Sequence, residues 1–143
     1  PIEPTSEIPT PATRRSLLTV DDNRMFAAVI GRYLDRHGFD VTHAHDGRAA
    51  LETLRSMNVL PEGIVCDLHM PGMNGLQFLK ALREDPRFRS LPILMLTSDD
   101  DIEVELKLLE EGADMFIAKS EDPRRLCAHI KKLVERIPTR VAA

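Results

Sequence analysis

The sequence predicts an α/β fold: a five-stranded parallel sheet of order 2-1-3-4-5, doubly wound by five helices. Three observations carry this prediction. First, short apolar runs alternate strictly with longer stretches of helical period between residues 16 and 137. Such alternation means a parallel sheet with helices on both faces. Second, four of the apolar runs end in chemically useful groups. Leu17-Leu18-Thr19-Val20 leads to Asp21 and Asp22, Ile64-Val65-Cys66 to Asp67, Ile93-Leu94-Met95-Leu96 to Thr97, and Met115-Phe116-Ile117-Ala118 to Lys119. Third, a Pro/Gly-rich turn, Met70-Pro71-Gly72-Met73-Asn74-Gly75, follows Asp67. A buried parallel strand delivers an acid in this way to the carboxyl edge of a sheet, where α/β proteins place their sites. Right-handed crossovers restrict the topology, and the order 2-1-3-4-5 puts the switch point between strands 1 and 3. Asp21, Asp22 and Asp67 fall there by chain order.

Residues 1–13 hold Pro1, Pro4, Pro9 and Pro11 among Thr, Ser and Glu, a composition that buries no core and reads as a flexible tail or linker. A single domain is expected over 14–137, followed by a short tail at 138–143. Strand 1 is predicted at 16–20. Helix 1, at 23–37, places Met25, Phe26, Val29, Ile30, Tyr33 and Leu34 on one face and stops at Gly38. Strand 2 follows at 39–44 and helix 2 at 46–57, carrying Ala49, Ala50, Leu51 and Leu54. Strand 3 is 63–67. Helix 3, at 74–84, is ended by Asp85-Pro86. Strand 4 is 91–97. Helix 4, at 99–111, is acidic and closed by Gly112. Strand 5 is 114–119. In helix 5, at 122–137, Asp122 suits the cap and Pro123 the first turn.

Bulk properties narrow the function classes. A chain of 143 residues has the size of one domain with one core. A net charge of −4 argues against direct nucleic-acid binding, which normally brings a basic stripe. No apolar run approaches the ~20 residues that span a bilayer, so no membrane insertion is expected and a cytoplasmic location is. Cys66 and Cys127 lack metal-ligand spacing and read as reduced thiols. Cys66 adjoins Asp67 but should point to the other face of its strand.

An acid pair, a third acid, a hydroxyl and an ammonium at four strand ends make a site for one divalent cation and one phosphoryl group. The ordered set resembles the receiver domain of two-component response regulators, a flavodoxin-like fold. It comprises Asp21-Asp22, Asp67 in Asp-x-x-Met-Pro-x-x-x-Gly, Thr97-Ser98, and Gly112-Ala113-Asp114 leading to Phe116 and Lys119. The match covers roughly residues 14 to 137. The resemblance implies a phosphoacceptor switch that assists its own phosphorylation and dephosphorylation but is not a turnover enzyme. Its partners would be a histidine kinase or phosphotransfer protein, and its cofactor Mg²⁺.

Three neighbouring carboxylates repel one another unless a cation intervenes. Mg²⁺ takes oxygen ligands and commonly binds one or two carboxylates plus a phosphate. Asp22 and Asp67 are expected as direct ligands and Asp21 through water; the backbone carbonyl of His69 would be the third protein ligand by analogy with receivers. The imidazole suits softer ions than Mg²⁺. The blander reading of the Asp pair is an N-terminal helix cap, which can coexist with a metal. Asp67 would be the nucleophile, forming an acyl phosphate, while Lys119 and Thr97 bind the phosphoryl oxygens. The blander readings are strand-end packing for Thr97 and an edge lysine for Lys119.

Phosphorylation would draw Thr97 inward, and by analogy with receivers Phe116, three residues before Lys119, would fill the space; otherwise Phe116 is core. The altered surface would be helix 4, strand 5 and helix 5, the face for a homodimer or an output domain. His69 and Asp99, two residues beyond Asp67 and Thr97, would tune the lifetime of the phosphorylated form. Receivers usually carry proline after the lysine, often with a cis bond; here Ser120 stands there and a trans bond is expected. Two competing readings are a phosphate-independent docking module and a hydrolase like the haloacid-dehalogenase phosphatases. The latter place a second acid two residues after the nucleophile, where this chain has His69.

Overall fold

The computed structural model describes residues 14–98 and 102–136. Its elements alternate throughout: β1 (Arg15–Val20), α1 (Arg24–Arg36), β2 (Phe39–Ala44), α2 (Gly47–Ser56), β3 (Gly63–Asp67), α3 (Gly75–Glu84), β4 (Ile93–Thr97), α4 (Ile102–Glu110), β5 (Met115–Ala118) and α5 (Pro123–Arg136). The five strands form one parallel sheet in the order β2-β1-β3-β4-β5, as predicted. The predicted tails at 1–13 and 138–143, and the start of predicted helix 4 at 99–101, lie outside the described residues.

Side-chain alternation along the strands sorts the core into two layers. Leu17, Val65, Leu94 and Leu96 pack with Ile30 and Leu34 of α1 and with Leu126, Ile130 and Leu133 of α5. Leu18, Ile64, Cys66, Ile93 and Met95 pack on the other face with Leu51 and Leu54 of α2, Phe78 and Leu79 of α3, and Leu108 of α4. Cys66 and Asp67 thus leave β3 on opposite sides. The central strands β3 and β4 are buried along their whole length, which is why they read as continuous apolar runs.

Local chemistry sets the helix ends. Asn23, Asp46 and Asn74 cap α1, α2 and α3 through their side chains. Asn74 and Gln77 form a full capping box. Gly38 and Gly112, at positive φ, reverse the chain after α1 and α4. Most bounds differ from the sequence expectation by about one residue, and two departures have a clear local cause. The cap of α1 is Asn23, not the Asp pair, because Asp21 Oδ1 accepts the Asn23 N–H at 2.8 Å instead of an amide of the first turn. Strand β4 starts at Ile93 because Pro92 has no N–H for the ladder, although its carbonyl accepts from Ile64.

Candidate functional site

Strands β1 and β3 end at one edge of the sheet and bring an acid cluster together. Asp67 is the last residue of β3, and Asp21 directly follows β1, its N–H held by the Ala44 carbonyl at 3.1 Å. Asp21 is 3% and Asp67 5% exposed, whereas Asp22 faces solvent. One carboxylate oxygen from each of the three lies within 4.8 Å of the others. Lys119, one residue past β5, reaches across. Its Nζ donates to Asp21 Oδ1 at 3.1 Å and to Asp67 Oδ2 at 3.2 Å. Asp21 Oδ2 is also 3.0 Å from Nζ, but it is buried and makes no hydrogen bond.

Among the described residues the charges do not balance, since three carboxylates face one ammonium. Burial pushes the Asp67 carboxyl pKa up, and the Asp21 charge adds to it; Lys119 and a backbone hydrogen bond from His69 offset only part of the rise. For Lys119 burial is the largest influence and acts downward. The hydrogen bond to Asp21 and the charges of Asp67 and Asp21 together outweigh it, so its pKa is raised. This arrangement fits a hard divalent cation: an oxygen-only donor set, an excess of negative charge, and a buried carboxylate oxygen without a hydrogen bond. Asp21, Asp22 and Asp67 are the side chains whose oxygens come together there.

Thr97 ends β4 and is 2% exposed. Its carbonyl accepts the Lys119 N–H at 2.7 Å, tying the ends of β4 and β5 together beside Asp67. Phe116 pairs with Met95 in the β4–β5 ladder and packs, half-buried, on the α2–α3–α4 side. The His69 side chain is exposed. Asp99 lies outside the described residues. The bond between Lys119 and Ser120 is trans, as expected, and the chain turns with the Glu121 N–H on the Ala118 carbonyl.

Two residues near the site carry more than the sequence reading assigned them. Phe26 reads from periodicity as part of a buried helix face, yet its ring centroid lies 4.8 Å from the Lys119 ammonium. The only sequence signal is an aromatic in the first turn of the helix that follows the acid pair. Gly75, the glycine of the Asp-x-x-Met-Pro-x-x-x-Gly run, meets the backbone of Asp67: a Cβ there would sit 2.5 Å from the Asp67 carbonyl oxygen. The spacing from Asp67 to Gly75 therefore reflects α3 starting hard against the end of β3.

Comparison with known proteins agrees with this geometry. The family model described as the response regulator receiver domain matches residues 17–131. The phosphate regulon transcriptional regulatory protein PhoB of Klebsiella pneumoniae is 34% identical over 123 residues, covering 86% of this chain and 53% of the relative. The DNA-binding response regulator MtrA of Mycobacterium leprae is 35% identical, covering 86% of this chain and 52% of the relative. The chain thus spans about half the length of the curated relatives it matches. Among solved structures, the signal receiver domain of a signal transduction histidine kinase from Syntrophus aciditrophicus superposes with a TM-score of 0.79 at 29% identity, covering 90% of this chain and 96% of that one. The chemotaxis protein CheY4 of Vibrio cholerae gives 0.77 at 29%, covering 84% and 98%. With the sheet order, the acid cluster at the switch point and a family match over most of its length, this chain belongs to the response regulator receiver domain family of two-component systems.

Proposed function

We propose that this receiver, spanning residues 14–137, accepts a phosphoryl group on Asp67 from a histidine kinase or phosphotransfer protein. The observation that carries the reading is the Asp21, Asp22 and Asp67 cluster with Lys119 bridging two of its members. In the transfer, an Asp67 carboxylate oxygen forms the new P–O bond. The bond from phosphorus to the donor, a P–N bond in a phosphohistidine, breaks, and its electron pair stays on the donor nitrogen. Lys119 neutralises charge on the phosphoryl oxygens, and the Thr97 hydroxyl donates to one of them. Asp22, Asp67 and the His69 carbonyl, with Asp21 through water, would hold Mg²⁺, which would supply further positive charge to the phosphoryl oxygens.

The switch follows from those contacts: Thr97 moves toward the phosphoryl group, Phe116 takes the space behind it, and the α4–β5–α5 surface changes. That surface is the proposed face for a second copy or an output domain. Exposed Ile102, Leu106 and Leu109 on α4 support a docking role there. His69 and Asp99, two residues beyond Asp67 and Thr97 in sequence, are the proposed tuners of the acyl phosphate's lifetime. His69→Asn is expected to change its hydrolysis rate, and an unchanged rate removes that role.

The test is intact-mass spectrometry after incubation with acetyl phosphate and Mg²⁺. One phosphoryl adduct is expected, absent without Mg²⁺ and absent in Asp67→Asn. A beryllofluoride titration covers fast hydrolysis. No adduct and no beryllofluoride binding would leave a phosphate-independent docking module instead.

A further inference from the structure

We propose that Phe26 is a positioning residue for the Lys119 ammonium, holding it at the site through the face of its ring. This rests on the phosphoacceptor reading and adds a residue to it. Lysine is a point charge on a flexible four-carbon stem, so something must fix its head. The backbone after Lys119 is a plain turn with an exposed Ser120, and it constrains the stem little. Among the described residues three groups meet the ammonium: Asp21, Asp67 and the Phe26 ring, whose centroid is 4.8 Å from Nζ. That distance lies inside the range where the negative face of an aromatic ring attracts a cation.

The two acids are variable partners, because each has a second task toward a cation or a phosphoryl group. The ring has none, so its attraction for Lys119 persists when the acids re-engage. It also stays put. The Phe26 N–H is held by the Asn23 cap at 2.9 Å, and the side chain packs against the α1–α5 core. An aliphatic residue of similar size would keep that packing but lose the attraction for the ammonium.

The test compares Phe26→Leu and Phe26→Tyr with wild type, alone and in a Lys119→Ala background. Magnetic resonance of the metal-free protein reads the contact directly. The Lys119 methylene protons nearest Nζ should be shifted upfield by the ring in wild type and Phe26→Tyr, and return to ordinary values in Phe26→Leu. Beryllofluoride titration with saturating Mg²⁺ should show affinity about fivefold weaker in Phe26→Leu and restored in Phe26→Tyr. The loss should fall on beryllofluoride rather than on Mg²⁺. In the Lys119→Ala background, Phe26→Leu should add nothing. Unshifted methylene protons in wild type, failure of Phe26→Tyr to restore affinity, or an equal loss without Lys119 would each overturn the proposal. A wild type with shifted protons but no beryllofluoride binding would instead overturn the phosphoacceptor reading, leaving the Phe26 contact in place.

Discussion

At neutral pH an ionised Asp67 costs the metal-free protein stability, because burial and the Asp21 charge raise its pKa more than Lys119 lowers it. The native state keeps this proton to higher pH than the unfolded chain does. Stability therefore falls as pH rises from the ordinary carboxyl value of 3.8 through the raised one, and the cost is complete above it. Asp67→Asn should accordingly raise Tm by a few degrees at neutral pH in the presence of chelator, with the gain fading in acid. A lower Tm for the variant under those conditions would contradict this account. Lys119 shows the same direction of pH dependence, although for it the charged form is the favoured one. Its raised pKa contributes stability that is full below the ordinary 10.5 and is lost as pH climbs through the raised value.

Among the elements, α3 and α4 differ in how firmly their side chains are buried. The start of α3 is held by the Asn74–Gln77 capping box, and Gly75 N–H donates to the Leu68 carbonyl at 2.9 Å. Gly75→Ala would drive a Cβ into the Asp67 carbonyl and the Leu68 Cα, at 2.5 and 2.8 Å. A loss of about 1–3 kcal/mol is expected in urea denaturation, since neither backbone atom can yield cheaply. Little or no loss would mean that the β3–α3 junction shifts freely. By contrast, α4 fully buries only Leu108 and leaves Ile102, Leu106 and Leu109 exposed. Sparse burial lowers the free energy of local opening. Amides of α4 should therefore exchange with deuterium faster than those of α3, which buries Phe78, Leu79 and Leu82. Equal protection would remove α4 as the mobile part of the proposed switch.

For the whole molecule, a cation bound at the acid cluster would raise global stability. A cation that binds only the folded chain adds about 2.7 kcal/mol at 100 times its Kd. MgCl₂ should raise Tm in wild type, and this gain should vanish in both Asp22→Ala and Asp67→Asn. Because a protonated Asp67 is a poor ligand, the gain should also shrink as pH falls through its raised pKa. A Tm indifferent to MgCl₂ at neutral pH would argue against a cation at this cluster. Among the described residues no helix is long and apolar enough to cross a membrane.

The sequence by itself determined the element order, the sheet topology and which residues stand at strand ends. These follow from local periodicity, glycine and proline punctuation, and crossover handedness, each written along a short stretch of chain. Asp21, Asp67, Thr97 and Lys119 were legible for that reason: each ends an apolar run. Only the tertiary structure decided how these groups pair. The 3.0–3.2 Å contacts of Lys119 with Asp21 and Asp67, the ring of Phe26 beside the ammonium and the approach of Gly75 to Asp67 join atoms whose separation no periodicity encodes. The cap of α1 shows the same limit at short range. Asp21, Asp22 and Asn23 are all good caps by type, and the sheet decides among them by turning Asp21 inward to Lys119 and leaving the helix end to Asn23.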